Sequence, residues 1–394
     1  MLIIQNEVFM EIFKMNNNTL SKLGFSGSYR PEDITFLMNI AAIQPTSVQE
    51  KESLIQSGQA HYSQMISAEN KPTNEHLKHY KQALKIGAYR MGQDIQKLGN
   101  SLMQRFKDEP IILVSLVRAG VPVGVLLKHH ISKSQKCYHY GISIIRDRGI
   151  DYCALNAIID QHGAKNIVFV DGWTGKGAIC KELTKSLQSY PDLFDEHWDI
   201  PRLVTLADLG GCSWLSASCD DWLIPSGILG SVVSGLTSRS ILLQDISEES
   251  AKTDFMNVDN WHKCIIYNEL SDHDLSLEFI NHILNEIQKN PTQDSANWSN
   301  EIRLDQQQLC CKTIKWVGSA YDIQDVNRIK PSIAEATRAV LRRIPDRILI
   351  KDADDENVQL LLHFAKENNV PVDVVGNDIG PYQAITLIKR VSGN

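Results

Sequence analysis

Between Lys165 and Leu183 the chain reads KNIVFVDGWTGKGAICKEL. Four apolar residues, Ile167 to Val170, end in Asp171; a glycine-rich turn then carries Thr174 and Lys176, and a helical pattern starts near Ala178. An apolar run this short and unbroken reads as a strand buried on both faces, as in a parallel sheet covered by helices. In such sheets ligands gather outside the carboxyl ends of the strands, where Asp171 would sit. Gly172, Gly175 and Gly177 let backbone N–H groups turn inward, and the following helix adds its dipole, so the loop favours an anion. It is not a nucleotide P-loop. That motif needs GxxxxGK followed by Ser or Thr, whereas Gly172 stands three residues before Gly175 and Gly177 replaces the hydroxyl.

Working outward, IILVSLVRAGVPVG (111–124) is a second buried strand, ending in Arg118-Ala119-Gly120 before a helix. A cationic fork with small neighbours at a strand end suits a second phosphate group. RLVTLAD (202–208) is a third such strand, ending in Asp208. The alternation with helical segments predicts an α/β fold with a mostly parallel sheet. In the Ser/Asp-rich segment after it, Asp208, Asp220 and Asp221 read equally as magnesium or acceptor-amine contacts and as a polar surface loop. Arg146 and Arg148, in SIIRDRGID, read as part of a loop closing over an anion or as a solvated charged turn. Ser226, Ser234, Ser238 and Arg239 are further candidates for a phosphate or ribose contact.

Ahead of these strands, Pro31-Glu32-Asp33 suits a helix N-terminus, and the apolar spacing from Leu77 to Leu102 predicts one long amphipathic helix. Residues 1–105 therefore read as an N-terminal helical extension of a first domain spanning 106–290. The polar PTQDSANWSN opens a linker over 291–309. Residues 310–394 form a smaller unit in which DRILIKDAD, DENVQLLLHFAKENN and VPVDVVGND make a β-α-β, preceded by Arg328, Lys330, Arg338, Arg342, Arg343 and Arg347.

The 394 residues suffice for two or three domains, and a net charge of -7 gives no sign of a nucleic-acid coat or an anionic membrane as the main partner. The eight cysteines show no CxxC and no Cys/His metal spacing, as expected for a reducing compartment, so the protein reads as cytoplasmic. No run reaches the about 18 apolar residues of a membrane span. The opening Met1–Phe13 segment is short and lacks a basic leader.

With these stretches in hand, VRAGVPVG and VFVDGWTGKGA resemble the pyrophosphate and 5-phosphate loops of the type I phosphoribosyltransferases. That resemblance implies a type I phosphoribosyltransferase-like sheet, with Arg118, Ala119 and Gly120 on pyrophosphate and Asp171 on the ribose hydroxyls, directly or through magnesium. It puts Thr174, Gly175, Lys176, Gly177 and Ala178 on the 5-phosphate. Gly172 stands where the family has a second acid. More widely, FSGSYRPEDITFL, EKESLIQSGQAHYSQM, GISIIRDRGID, CDDWLIPSGILGSVVSGLTSR and VPVDVVGNDIGPYQAITLIKR resemble a bacterial group associated with tellurium-resistance and stress gene clusters. In that group such a domain precedes a small pelota/L7Ae-like α/β/α RNA-binding domain, and members are also labelled StiP-family cysteine proteases.

The expectation is thus phosphoribosyl transfer, or its reverse, on a nucleobase-like acceptor. Phosphoribosyl pyrophosphate or a ribose phosphate is the partner, Mg2+ the cofactor, and Arg118, Asp171 and Asp208 the catalytic residues, with Asp171 as metal ligand. Arg146, Arg148 and Asp221 join the ligand contacts. RNA is a further partner through the basic stretch of the C-terminal unit, no membrane is involved, and a homodimer is compatible with the chain. Two alternatives stand beside this: a non-catalytic nucleotide or RNA sensor, favoured by Gly172, and a cysteine protease. For the latter, GGCSW around Cys212 resembles the papain-type cysteine box, with the Trp displaced, and His363, His61 and His197 are the histidines to consider.

Overall fold

The computed structural model describes residues 19–243 and 248–390. The Met1–Phe13 segment lies outside them. The central sheet is built from β1 (Thr35–Phe36), β2 (Ile111–Leu116), β3 (Cys137–Ile142), β4 (Ile167–Val170), β5 (Trp173–Thr174), β6 (Leu203–Asp208) and β7 (Leu215–Ser218). Its order is β1-β3-β2-β4-β6-β7, with β5 also on β6, and every pairing is parallel. Each apolar run feeds both faces. Leu113, Val168 and Val204 enter one core, while Ile112, Val114, Phe169 and Leu203 enter the other. That is why the strands read as unbroken hydrophobic runs and not as alternation.

One face is covered by α1 (Asn74–Arg105), α2 (Gly120–Ile131) and, later in the chain, α5 (Ser276–Lys289), which pack on one another. The other carries α3 (Tyr152–His162) and α4 (Ala178–Ser186). The long helix α1 starts where Thr73 accepts from the His76 N–H and buries Leu84, Met91, Ile95, Leu98 and Leu102, as its spacing predicts. Between β2 and α2 the turn must hold Gly120: a Cβ there would lie 2.0 Å from the Val170 carbonyl oxygen.

The second sheet holds β8 (Ile329–Pro331), β9 (Pro345–Ile350), β10 (Val372–Val374) and β11 (Ala384–Ile388), in the order β8-β11-β9-β10. β9 and β10 are parallel and joined through α8 (Gln359–Glu367), which is the β-α-β read from the sequence. Helix α7 (Ile333–Arg342) lies against β11 and α8.

Three expectations are corrected. Pro31 to Asp33 form a turn, not a helix start: the buried Asp33 carboxylate lies 2.7 Å from the His129 ring and reaches back to accept from the Arg30 N–H at 3.2 Å instead of capping N–H groups ahead of it. The N-terminal region is not helical throughout, since β1 joins the central sheet. The polar stretch expected as a linker over 291–309 is extended only to Ser299, whose side chain accepts from Ile302 N–H and starts α6 (Asn300–Ala320). Among the described residues no helix is long and apolar enough to cross a membrane.

Candidate active site

The glycine-rich turn after β4 does lie at the carboxyl end of the sheet, and the C-terminal unit sits on it. Tyr382 donates its hydroxyl to the Gly175 carbonyl at 2.9 Å, and Lys176 Nζ reaches the carbonyls of Val326 and Ile329 at 2.5 Å each. Gly177, with φ 79°, precedes Ala178 at the start of α4. Thr174 Oγ1 donates to Asp208 Oδ1 at 2.5 Å, and Asp208 Oδ2 accepts from the backbone of Cys212 and Ser213 at 2.8 and 2.7 Å. Burial raises the Asp208 carboxyl in spite of these donors.

Arg118 is not open to a ligand. Its guanidinium bonds Glu69 and donates to the Thr237 carbonyl at 2.9 Å, and Arg342 reaches the same Glu69 at 2.9 Å. Burial works to raise Glu69, yet Arg118 and Arg342 hold it well below the usual carboxylate range. Ala119 faces Gly172 with its carbonyl, and Gly120 presses on the end of β4. Asp221 accepts from the backbone N–H of Ile333 and Gln383 and so ties the two sheets together. Arg146 donates to the Asn327 side chain at 3.2 Å. Ser234, Ser238 and Arg239 bond to neighbouring carbonyls, and the Ser226 hydroxyl is buried.

The residues present do not fit the expected magnesium ion. Burial pushes Asp171 up to about 7, its Oδ1 accepts from the next residue's N–H at 2.7 Å, and Gly172 supplies no second carboxylate. Among the described residues no group of three or more His, Cys, Asp and Glu side chains is arranged for a metal.

Most of the basic stretch expected to meet RNA turns inward, Arg347 excepted. Arg342 bonds Glu69, Arg343 bonds Glu52, Arg347 bonds Asp373, and the Arg338 guanidinium lies 4.5 Å from the centre of the Trp173 ring. Burial, with Lys176 adding to it, lowers Lys330 to about 7, and burial next to Arg342 and Arg118 lowers Arg338 to about 9. Arg338, Arg342 and Arg343 serve the contact between the two units, whereas Arg347 pairs within the second sheet.

Cys212, the thiol singled out by its local box, has Cys180, Asp208 and Thr174 as neighbours. His363 sits on the His79 ring, His61 caps the turn Tyr62–Gln64, and the His197 N–H bonds Asp195. A different thiol shares a cleft with a histidine. Asp151 caps α3 by accepting from Ala154 N–H at 3.0 Å, which puts Cys153 in the helix's first turn. The second Asp151 oxygen accepts from the His262 backbone N–H at 2.6 Å, and His262 Nδ1 is 2.7 Å from Ser143 Oγ. Cys153, His262, Asp151, Asn260 and Arg148 line one cleft of about 30 Å3, about the volume of one water molecule. Cys153 is 2 % and His262 9 % exposed. Burial, and then Asp151 and Asp254, push the Cys153 thiol up to about 12.

Sequence reasoning missed this pair. The signal was Gly149-Ile150-Asp151-Tyr152-Cys153: a short apolar step, an Asx cap, and a cysteine just inside a helix. Nothing local marks His262 as its partner.

Residues 27–284 match the family model of the tellurite-like stress resistance cysteine protease StiP, and residues 308–390 match the PELOTA RNA binding domain. The chain is 52% identical over 373 residues to the cysteine protease StiP of Acinetobacter baylyi, covering 94% of this chain and 96% of that protein. These matches bear out the bacterial stress-gene resemblance. They overturn phosphoribosyl transfer as the expected activity, and phosphoribosyl pyrophosphate as the expected partner, because family and relative both carry a cysteine protease name. Arg118, Asp171 and Asp208 lose their assigned catalytic roles with that substrate.

Proposed function

The chain belongs to the family of the tellurite-like stress resistance cysteine protease StiP, and from that premise we propose that it is a thiol peptidase with Cys153 as nucleophile and His262 as its base. The observation that carries the assignment is the shared cleft: it joins a cysteine in the first turn of α3 to an imidazole whose Nδ1 is fixed by Ser143. A thiol held near pKa 12 is a weak nucleophile at neutral pH, so it needs a base beside it. His262 takes the thiol proton as Sγ attacks the scissile carbonyl, and returns it to the leaving amine. Water then hydrolyses the thioester. Ser143 and Asp151 are positioning residues, one for the ring and one for the His262 backbone. The fold beneath this chemistry we infer to be of the type I phosphoribosyltransferase kind. Its support is an all-parallel sheet with a glycine-rich turn at the end of a middle strand, here used to seat the C-terminal unit.

Partial alkylation with iodoacetamide tests the nucleophile. Loss of hydrolysis of reduced, alkylated casein should track modification of Cys153 as mapped by peptide mass spectrometry. Loss that tracks Cys212, with Cys153 unmodified, sinks the assignment.

A second reading concerns residues 308–390, whose match is to an RNA-binding domain. With Arg338, Arg342 and Arg343 turned inward, contact with RNA falls to exposed cations outside the seam such as Lys389 and Arg390. Fluorescence anisotropy with a labelled single-stranded RNA should show binding that weakens with salt and weakens several-fold in the variant Lys389→Glu/Arg390→Glu. Absence of binding at low salt removes the reading.

A further inference from the structure

We propose that Cys180 and Cys212 are a redox couple that closes to a disulfide when a small-molecule disulfide of the glutathione class oxidises the protein. The Cys212 thiol donates to Cys180 Sγ with the two sulfurs 2.6 Å apart, although Cys180 sits in the first turn of α4 and Cys212 follows β6. Peptidase chemistry at Cys153 uses neither thiol, so this proposal stands or falls independently of it.

Three features prepare the pair. Space is the first: a Cβ on Gly210 would lie 3.3 Å from Cys212 Sγ, 3.1 Å from Thr174 Oγ1 and 3.0 Å from the Gly177 nitrogen, so a glycine keeps this corner open to the sulfur. Backbone anchorage is the second. Asp208 holds the Cys212 and Ser213 N–H groups, and Gly211 is pinned between its carbonyl's bond from Arg303 at 3.2 Å and the close backbone of α6. Two thiols fixed on separate elements at contact distance have a high effective concentration for one another. The third is a proton acceptor within reach, since Asp208 Oδ1 stands 3.8 Å from Cys212 Sγ and can take the thiol hydrogen in place of Cys180.

The exchange follows the difference in exposure. Cys212 is partly exposed and Cys180 buried. Cys212 gives its proton to Asp208, and its thiolate attacks one sulfur of the small disulfide, breaking that S–S bond and releasing one small thiolate. Cys180 then loses its proton and attacks Cys212 Sγ, which releases the second small thiolate and forms the internal bond. The two protein protons end on the two released thiols. The protein gives up two electrons and the small disulfide takes them.

The bond would tie α4 to the corner on which α6 rests, beneath the Gly175 and Lys176 contacts of the C-terminal unit. Oxidation therefore fastens the part of the first sheet that seats the second.

The test uses the full chain, reduced, freed of reductant and equilibrated with mixtures of reduced and oxidised glutathione. Thiols counted after denaturation should fall by two from eight, and non-reducing peptide mapping should return one cross-link, Cys180 to Cys212. Cys212→Ser should abolish it. Cys180→Ser should leave Cys212 carrying one glutathione, and the oxidised wild type should melt at a higher temperature than the reduced protein. Eight free thiols at every ratio, or a cross-link between any other two cysteines, overturns the proposal. The wild-type map alone decides if either serine variant fails to fold.

Discussion

Cys153→Ala is expected to abolish peptide hydrolysis, and His262→Ala to lower kcat/KM by about 10^2- to 10^4-fold, the usual worth of a positioned general base. The thiol and the imidazole contribute differently. Cys153 provides the only atom that bonds to substrate in this mechanism, so nothing replaces it. His262 matters because burial, Asp151 and Asp254 push the thiol up to about 12, leaving almost no spontaneous thiolate at neutral pH. Without the imidazole, the rate should keep rising with pH toward that value. Near-UV circular dichroism separates loss of chemistry from loss of fold, since Asp151 and Ser143 keep α3 and β3 tied to their neighbours through other bonds in both variants. Hydrolysis that survives Cys153→Ala in folded protein refutes the nucleophile. A pH profile unchanged by His262→Ala refutes the base.

The buried strands Ile111–Leu116, Ile167–Val170 and Leu203–Asp208 were legible because a strand covered on both faces must be apolar throughout. The two-residue strand Thr35–Phe36 was not, for it is held by its neighbour Cys137–Ile142 and has no period of its own. The loop after Val170 was correctly located at a strand end, but its chemistry was misassigned. Gly175 and Lys176 look free in sequence, and only the fold brings Tyr382, Val326 and Ile329 onto them. The inward turn of Arg338, Arg342 and Arg343 was hidden in the same way, since Glu52 and Glu69 lie far off in the chain. Cys212 attracted attention through its flanking residues. Cys153 gains its partner from a bond between residues 111 apart, Asp151 to His262, which no local pattern encodes.

Asp221→Ala is expected to cost about 3 kcal/mol, because it leaves the buried N–H groups of Ile333 and Gln383 without their acceptor. Urea unfolding of the full chain measures this, with loosening of the second sheet from the first visible as a larger radius of gyration in X-ray scattering. The pH dependence carries a sign that tests the same contact. Burial raises the Asp221 carboxyl to about 7, against the pull of the Gln383, Ile333 and Ala384 N–H groups, while an unfolded aspartate sits near ~4. Between those values the folded state holds a proton that the unfolded state has released, so this residue's contribution to stability falls as pH rises through about 4 to 7. Asp221→Asn keeps the site neutral at every pH and retains one acceptor oxygen. The stability of that variant relative to wild type should therefore climb by about 2 to 3 kcal/mol from pH 5 to pH 8, at roughly 1.4 kcal/mol per unit within the window. A flat difference over that range would mean that Asp221 is already ionised at pH 5 and is held as a carboxylate by the N–H groups alone. The contact would then be a permanent anion site, not one that tightens on acidification.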